Sequence, residues 1–108
     1  MKWRVTSHTE NHGRLRAYTV VGQVFFASAD AFKANFDFRE VVQNVRVDVS
    51  RARFWDLTAV GALDTVVLKF RREGAQMEVI GMDEASTTLV DRFAIHDKPD
   101  AVDRLMGH

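Results

Sequence analysis

Polar and apolar positions alternate in two early stretches of the chain. Val5 and Ser7 stand against Arg4 and Thr6, which predicts a short first strand, and HTENHG (8–13) supplies the polar residues and glycine of a connection. RLRAYTVVGQVFF (14–26) sets Arg14, Arg16 and Tyr18 against Leu15, Ala17 and Thr19. It predicts a second strand, with Gly22 at a bend or bulge before Val24, Phe25 and Phe26. The two strands are expected to pair as a hairpin. The period then changes: Ala29, Phe32 and Phe36 recur at helical spacing behind Ser28, a residue able to cap free N–H groups, so a first helix is predicted over about 29–37. NVRVDVS (44–50) returns to alternation, with Val45, Val47 and Val49 against Arg46, Asp48 and Ser50, as in a strand buried on one face.

TAVGALDTVVLKFRRE (58–73) carries the strongest helical signal. Ala59, Leu63, Val66 or Val67, and Phe70 fall on one stripe, while Asp64, Lys69, Arg71, Arg72 and Glu73 gather elsewhere or at the end. Gly74 stops this helix, AQMEVIGM (75–82) alternates as a fourth strand, and DEASTTLVDRF (83–93) resumes helical spacing through Ala85, Leu89, Val90 and Phe93 behind an Asp83 cap. A short last helix, DAVDRLM, is predicted after Pro99. The order β-β-α-β-α-β-α-α predicts an α/β domain with a small mixed sheet and helices mainly on one face. Strands joined through a helix should be parallel, with right-handed crossovers.

Length and composition narrow the class. A chain of 108 residues supports one core, and 46% hydrophobic with 28% charged residues excludes disorder as its main state. Fifteen basic side chains balance fifteen acidic ones, so the overall field steers neither nucleic acid nor an acidic substrate, and charge arguments become local. The absence of cysteine excludes disulfides, zinc–thiolate sites and thiol catalysis, and makes the cytosol the default compartment. No segment approaches the roughly 20 apolar residues of a membrane helix.

The stretch FWDLTAVGAL (54–63) places Asp56 and Thr58 in an apolar run that leads into the main helix. Either residue can accept hydrogen bonds from the free N–H groups of a first turn, a contribution of about 1 kcal/mol, and oppose the positive end of the helix dipole. The same place seats a phosphate, so a phosphorylated Thr58 would be tolerated electrostatically while adding roughly −1.5 to −2 charges. Gly61 lowers helix propensity by about 1 kcal/mol relative to alanine. It fits either the close approach of a partner or tight internal packing.

Other chemistry has less support. His8 and His12 would pair on a metal only if helical, and Thr9, Asn11 and Gly13 disfavour that. Asp48 at a strand end is similar to a receiver-domain phosphoacceptor, but the accompanying acidic pair and lysine have no match, which leaves it as a hydrogen-bond partner. Neither GxGxxG, GxxxxGK[ST] nor GxSxG occurs, so no enzyme activity and no cofactor are expected, with weak anion or nucleotide binding at a helix N-terminus left open. Lys2, Arg4, Arg14 and Arg16 form a basic cluster in the sequence, which either solvates a strand face or meets anionic headgroups at about 1 kcal/mol per charge. Trp55 is expected to be an exposed partner contact or a cap on the sheet edge.

The stretch VRVDVSRARFWDLTAVGAL resembles the centre of a STAS domain, the module shared by sulfate transporters and anti-sigma-factor antagonists. The resemblance lies in a hydrophobic strand with Asp and Ser near its end, a short connection, and Asp-x-Ser/Thr opening a helix. In the antagonists the Ser or Thr of that motif is a phosphorylated switch, and Thr58 holds the matching position; Asp56 is the acidic residue two before it, and Asp48 matches the strand aspartate. Antagonists usually show Asp-Ser-Ser-Gly-Leu where this chain has Asp56-Leu57-Thr58-Ala59-Val60. YTVVGQVFFASADAF and GMDEASTTLVDRFAIHDKP resemble the C-terminal cytoplasmic domain of bacterial SulP-type anion permeases, so that the likeness runs from about Arg14 to the end.

The resemblance implies a single domain over 1–108, its first 13 residues being a linker or first strand after a membrane domain, with Met1 an introduced start. It also implies a non-catalytic regulatory module of a sulfate, bicarbonate or dicarboxylate transporter at the cytoplasmic face of the bacterial inner membrane. Its partners would be the transmembrane domain of the same transporter and a cytosolic regulatory protein, with a homodimer formed through the full-length transporter and no nucleic acid bound. Asp48, Ser50, Asp56, Thr58 and Gly61 would form the docking or anion-sensing surface. The alternative is a free-standing anti-sigma-factor antagonist switched by phosphorylation of Thr58.

Overall fold

The computed structural model describes residues 3–87 and residue 89. The chain begins with strands β1 (Trp3–Glu10) and β2 (Leu15–Val24), an antiparallel hairpin pairing Trp3 with Gly22 and Glu10 with Leu15. Its turn needs left-handed backbone at Asn11, His12 and Gly13, which residue types that tolerate positive φ supply. β1 is longer than the alternation at 4–7 predicts, because the hairpin ladder carries it through His8 and Thr9. A single 3-10 turn (Phe26–Ser28) leads into α1 (Ala29–Lys33), and β3 (Asn44–Phe54), α2 (Leu57–Arg72), β4 (Gln76–Ile80) and α3 (Met82–Ala85) follow. The sheet order is β1-β2-β3-β4, with β3 parallel to both β2 and β4, as expected of strands joined through helices. No helix among the described residues is long and apolar enough to cross a membrane.

One sheet face carries the core. Tyr18, Val20 and Val24 of β2 and Val45, Val47, Val49, Ala52 and Phe54 of β3 meet Ala59, Leu63, Val66 and Phe70 of α2, all essentially withdrawn from solvent. The apolar stripe predicted for the main helix is thus the one that is buried. Phe32 of α1 adds an aromatic centre, edge-on to Trp3, Phe36 and Phe54 at ring separations of 6.0, 5.3 and 6.2 Å.

Three local expectations are corrected. The first helix ends at Lys33 rather than near residue 37, with Ala34 as its C-cap, although Phe36 still reaches the core from the turn beyond. The segment after it is fastened to β2 instead: Tyr18 Oη accepts from the Asp37 N–H (3.0 Å), and Arg16 grips Glu40 through Nε (2.9 Å) and Nη2 (2.6 Å). That ion pair lowers the Glu40 carboxyl below its ordinary range, and burial raises the Tyr18 phenol. Second, the side-chain caps predicted for the two short helices do not form: Ser28 makes no capping bond at α1, and α3 starts behind Gly81 in left-handed backbone with Asp83 inside its first turn. Third, the third strand continues to Phe54 rather than ending near Ser50. Ala85 and Leu89 are buried as expected, whereas Val90, Phe93 and the last predicted helix lie outside the described residues.

Candidate functional site: the opening of the main helix and its groove

β3 delivers the chain to α2 at Asp56. Its backbone is extended (φ −151°, ψ 167°), and its carboxylate Oδ1 accepts from the Ala59 N–H at 2.8 Å, so Asp56 is the N-cap of α2. Lys69, Arg71 and Arg72 complement the other end of this helix. Thr58, two residues past the cap, needs no capping role and stands exposed on the first turn. One turn further on, Gly61 is exposed, and a Cβ built there would meet nothing within 4 Å. Internal packing therefore does not account for this glycine. Its carbonyl accepts from Thr65 Oγ1 at 3.0 Å.

α1 forms the opposite wall. Ala27, Ala29, Asp30 and Lys33 face Thr58, Gly61, Ala62 and Thr65 across an open groove of about 470 Å³, floored by small residues. Lys33 pairs loosely with Asp30 at 3.4 Å, leaving an ammonium on the rim of the groove that holds Thr58. Leu57 and Leu68, both more than half exposed, flank this surface along α2. The arrangement suits a docked helix or loop: small residues permit close backbone approach, threonine hydroxyls offer hydrogen bonds, and leucines give apolar area. It also suits a phosphoryl group on Thr58, facing the first-turn N–H groups with a lysine nearby.

Asp48 and Ser50 do not belong to this surface. The β2–β3 ladder slips between Thr19 and Val21, which face Asp48 and Arg51, so that β3 carries one extra residue there. Burial on β3 changes phase at this bulge, from Val45, Val47 and Val49 to Ala52 and Phe54. Gly22, the residue expected to mark an irregularity, does adopt φ +106°, but the inserted residue is in the facing strand. Asp48 Oδ1 accepts from both the Ser50 N–H (2.9 Å) and the Ser50 hydroxyl (2.6 Å), satisfying groups that the bulge displaces. These bonds hold the Asp48 carboxyl below its ordinary range. Across from Ser50, Gly81 turns the chain from β4 into α3 with φ +83°. A Cβ at Gly81 would overlap Ser50 Cα, Cβ and N. Asp48, Ser50 and Gly81 together form a structural junction, separate from the Thr58 groove.

A folded-state pKa below the unfolded one means that Asp48 contributes stability above about pH 4, and that this is lost as pH falls through the lowered value. Asp48→Asn keeps an acceptor oxygen but removes the charge. It is expected to cost about 0.5–1 kcal/mol at pH 7, kept small by solvent screening, with the difference from wild type vanishing in acid. Denaturant melts at pH 7 and pH 3 check this, and an equal difference at both would contradict it.

The sequence pattern pointed to Asp56, Thr58 and Gly61, and the structure brings these three together. It adds Asp30, Lys33, Ala62 and Thr65, which no motif marked because they become neighbours only when α1 folds onto α2. Gly81 was also missed as a site of close approach. Its signal was a glycine directly after an alternating run.

The fold has recognisable relatives among known proteins. A family model described as STAS domain matches residues 6–105. "Putative sulfate transporter YbaR" of Bacillus subtilis is 37% identical over 93 residues, which is 86% of this chain but only 19% of that protein. Among solved structures, the STAS domain of an antisigma-factor antagonist from Rhodobacter sphaeroides is 54% identical with a TM-score of 0.79, covering 81% of this chain and 95% of that one. The phosphorylated form of SpoIIAA, a Bacillus cell fate determinant, shares the fold at a TM-score of 0.57 and 13% identity, over 94% of this chain and 99% of its own. A four-stranded mixed sheet with this element order and a family match over nearly its whole length mean that the chain belongs to the STAS domain family.

Proposed function

We propose that this chain is a non-catalytic docking and regulatory domain of a SulP-type anion transporter, positioned at the cytoplasmic face of the membrane and engaging its partner through the groove between α1 and α2. The observation that carries this reading is Gly61: a glycine inside a 16-residue helix, costing about 1 kcal/mol in propensity, with open space where its side chain would be. Nothing in the described fold requires it, whereas a partner backbone lying against the helix would. Assignment to a transporter is supported by the likeness to YbaR across most of this chain, which spans about a fifth of that protein's length. The partner is the transporter's own membrane domain or a cytosolic regulator. Phosphorylation of Thr58 would switch the surface by placing a dianion at its centre.

Gly61→Ala is expected to raise stability by about 0.5–1 kcal/mol, since the new methyl meets no obstacle. Gly61→Gln should leave the fold intact yet fill the groove, so transport by the full-length protein carrying it should fall. Unchanged transport alongside an unchanged melting curve would remove the groove from the mechanism. Intact mass measurement of native protein, with transport by a Thr58→Glu variant, tests the switch; no modification and no altered transport would exclude it.

A second reading, a free-standing anti-sigma-factor antagonist, is favoured by the 54% likeness to the Rhodobacter sphaeroides antagonist domain. Fractionating source cells and blotting for this segment separates the two readings. A large membrane-bound polypeptide supports the transporter; a cytosolic one near 12.3 kDa supports the antagonist.

A further inference from the structure

The sheet face opposite the core divides by charge along its length. At one end Glu10 accepts from Arg46 Nη2 (2.6 Å) and contacts His8 Nε2 (2.8 Å), and Glu78 lies beside Arg46 in the ladder. At the other end the register brings Arg4 of β1, Val21 of β2 and Arg51 of β3 into one row. Arg53 stands two residues on, on the same face, opposite Gln23. This grouping differs from the cluster suggested by the sequence, since Arg14 sits at the hairpin turn and Arg16 is held by Glu40.

Arg4, Arg51 and Arg53 are all exposed, and none forms an ion pair among the described residues. The carboxylate nearest in the ladder, Asp48, has its Oδ1 engaged by Ser50. Val21 and Gln23 of β2 are the direct ladder partners of Arg51 and Arg53, so no carboxylate stands opposite either arginine on that strand. Just beyond Arg53, where the two strands end, Phe25 and Trp55 stack with ring centroids 5.6 Å apart and planes at 15°. Exposed arginines grouped on a sheet face, their long side chains able to reach headgroup depth, complement the charge of an anionic bilayer surface.

We infer that this end of the sheet face, through Arg4, Arg51 and Arg53, rests on an anionic phospholipid surface. The inference takes its biological setting from the transporter reading, but it concerns the face away from the α1/α2 groove. It can fail while that reading stands, and the reverse.

The test is co-sedimentation of this chain with vesicles of phosphatidylglycerol and phosphatidylcholine in equal parts, against pure phosphatidylcholine, in low and high salt. The expected result is binding to the anionic vesicles only, weakened by salt, about fivefold weaker for each arginine neutralised and roughly a hundredfold for Arg4→Gln/Arg51→Gln/Arg53→Gln. Arg14→Gln/Arg39→Gln/Arg71→Gln makes the same change in net charge elsewhere and should bind as wild type. Equal loss in both triples, no preference for anionic vesicles, or displacement from vesicles by soluble polyglutamate would each overturn the inference. Circular dichroism confirms folding, and Arg51→Gln and Arg53→Gln singly carry the fivefold readout should the triple unfold.

Discussion

Gly81→Ala is expected to destabilise the domain by about 3 kcal/mol, lowering its melting temperature by roughly 12 °C. Two independent causes add. Left-handed backbone at φ +83° costs an L-residue about 1–2 kcal/mol. The added methyl would also occupy the space of Ser50 Cα, Cβ and N, which belong to a strand in the middle of the sheet and cannot retreat as a flexible side chain would. Because Cα and N contribute to the overlap, Ser50→Gly in the Gly81→Ala background should recover only a minor part of the loss. Thermal and denaturant unfolding of the two variants measures this. A loss below about 1 kcal/mol would mean that the β4–α3 connection can move away from the bulge and that the junction is looser than its geometry indicates.

Phe32→Ala should cost about 3–5 kcal/mol, comparable to much of the total stability of a domain this size. Its ring is fully buried among Trp3, Phe36 and Phe54, so truncation leaves a cavity at the meeting point of β1, β3 and α1. α1 has only five residues and no side-chain cap, and a helix this short does not stand by propensity. Burial of Phe32 is what holds it. Hydrogen exchange should therefore show α1 amides losing protection out of proportion to those of β3, and Phe32→Leu should recover more than half of the stability. Since α1 is one wall of the Thr58 groove, Phe32→Ala should also impair docking, whereas Gly81→Ala, acting at the separate junction, should leave docking per folded molecule unchanged. Similar docking defects in the two variants would break that separation of the groove from the junction.

The strands and the main helix were legible because period is a local property. Val45, Val47 and Val49 alternate, Ala59, Leu63, Val66 and Phe70 follow a helical stripe, and one buried face of the sheet serves both. The spacing predicts too long an α1 because Phe36 keeps the helical period although it reaches the core from a turn. β3 was ended early at Ser50 because its inward positions change parity there. That change is itself visible in the sequence, with Ala52 and Phe54 following Val49, once a bulge is allowed for. Within the site, Asp56 could be identified as a cap from its place before the helix. The family resemblance likewise groups Asp48 and Ser50 with Thr58, but a bulged, extended strand carries them to another part of the molecule.

By itself, then, the sequence determined the element types of the described residues, the buried stripes, the parallel crossovers and the motif at the head of α2, since each follows from periodicity and backbone chemistry within a short window. Only the tertiary structure decided that Gly61 faces open space while Gly81 is pressed against Ser50, two glycines indistinguishable by residue type. It also decided that Arg4 joins Arg51 and Arg53 rather than Arg14 and Arg16. Strand register and chain crossing set these neighbours, and both depend on pairings between segments far apart in the chain, which no local pattern encodes.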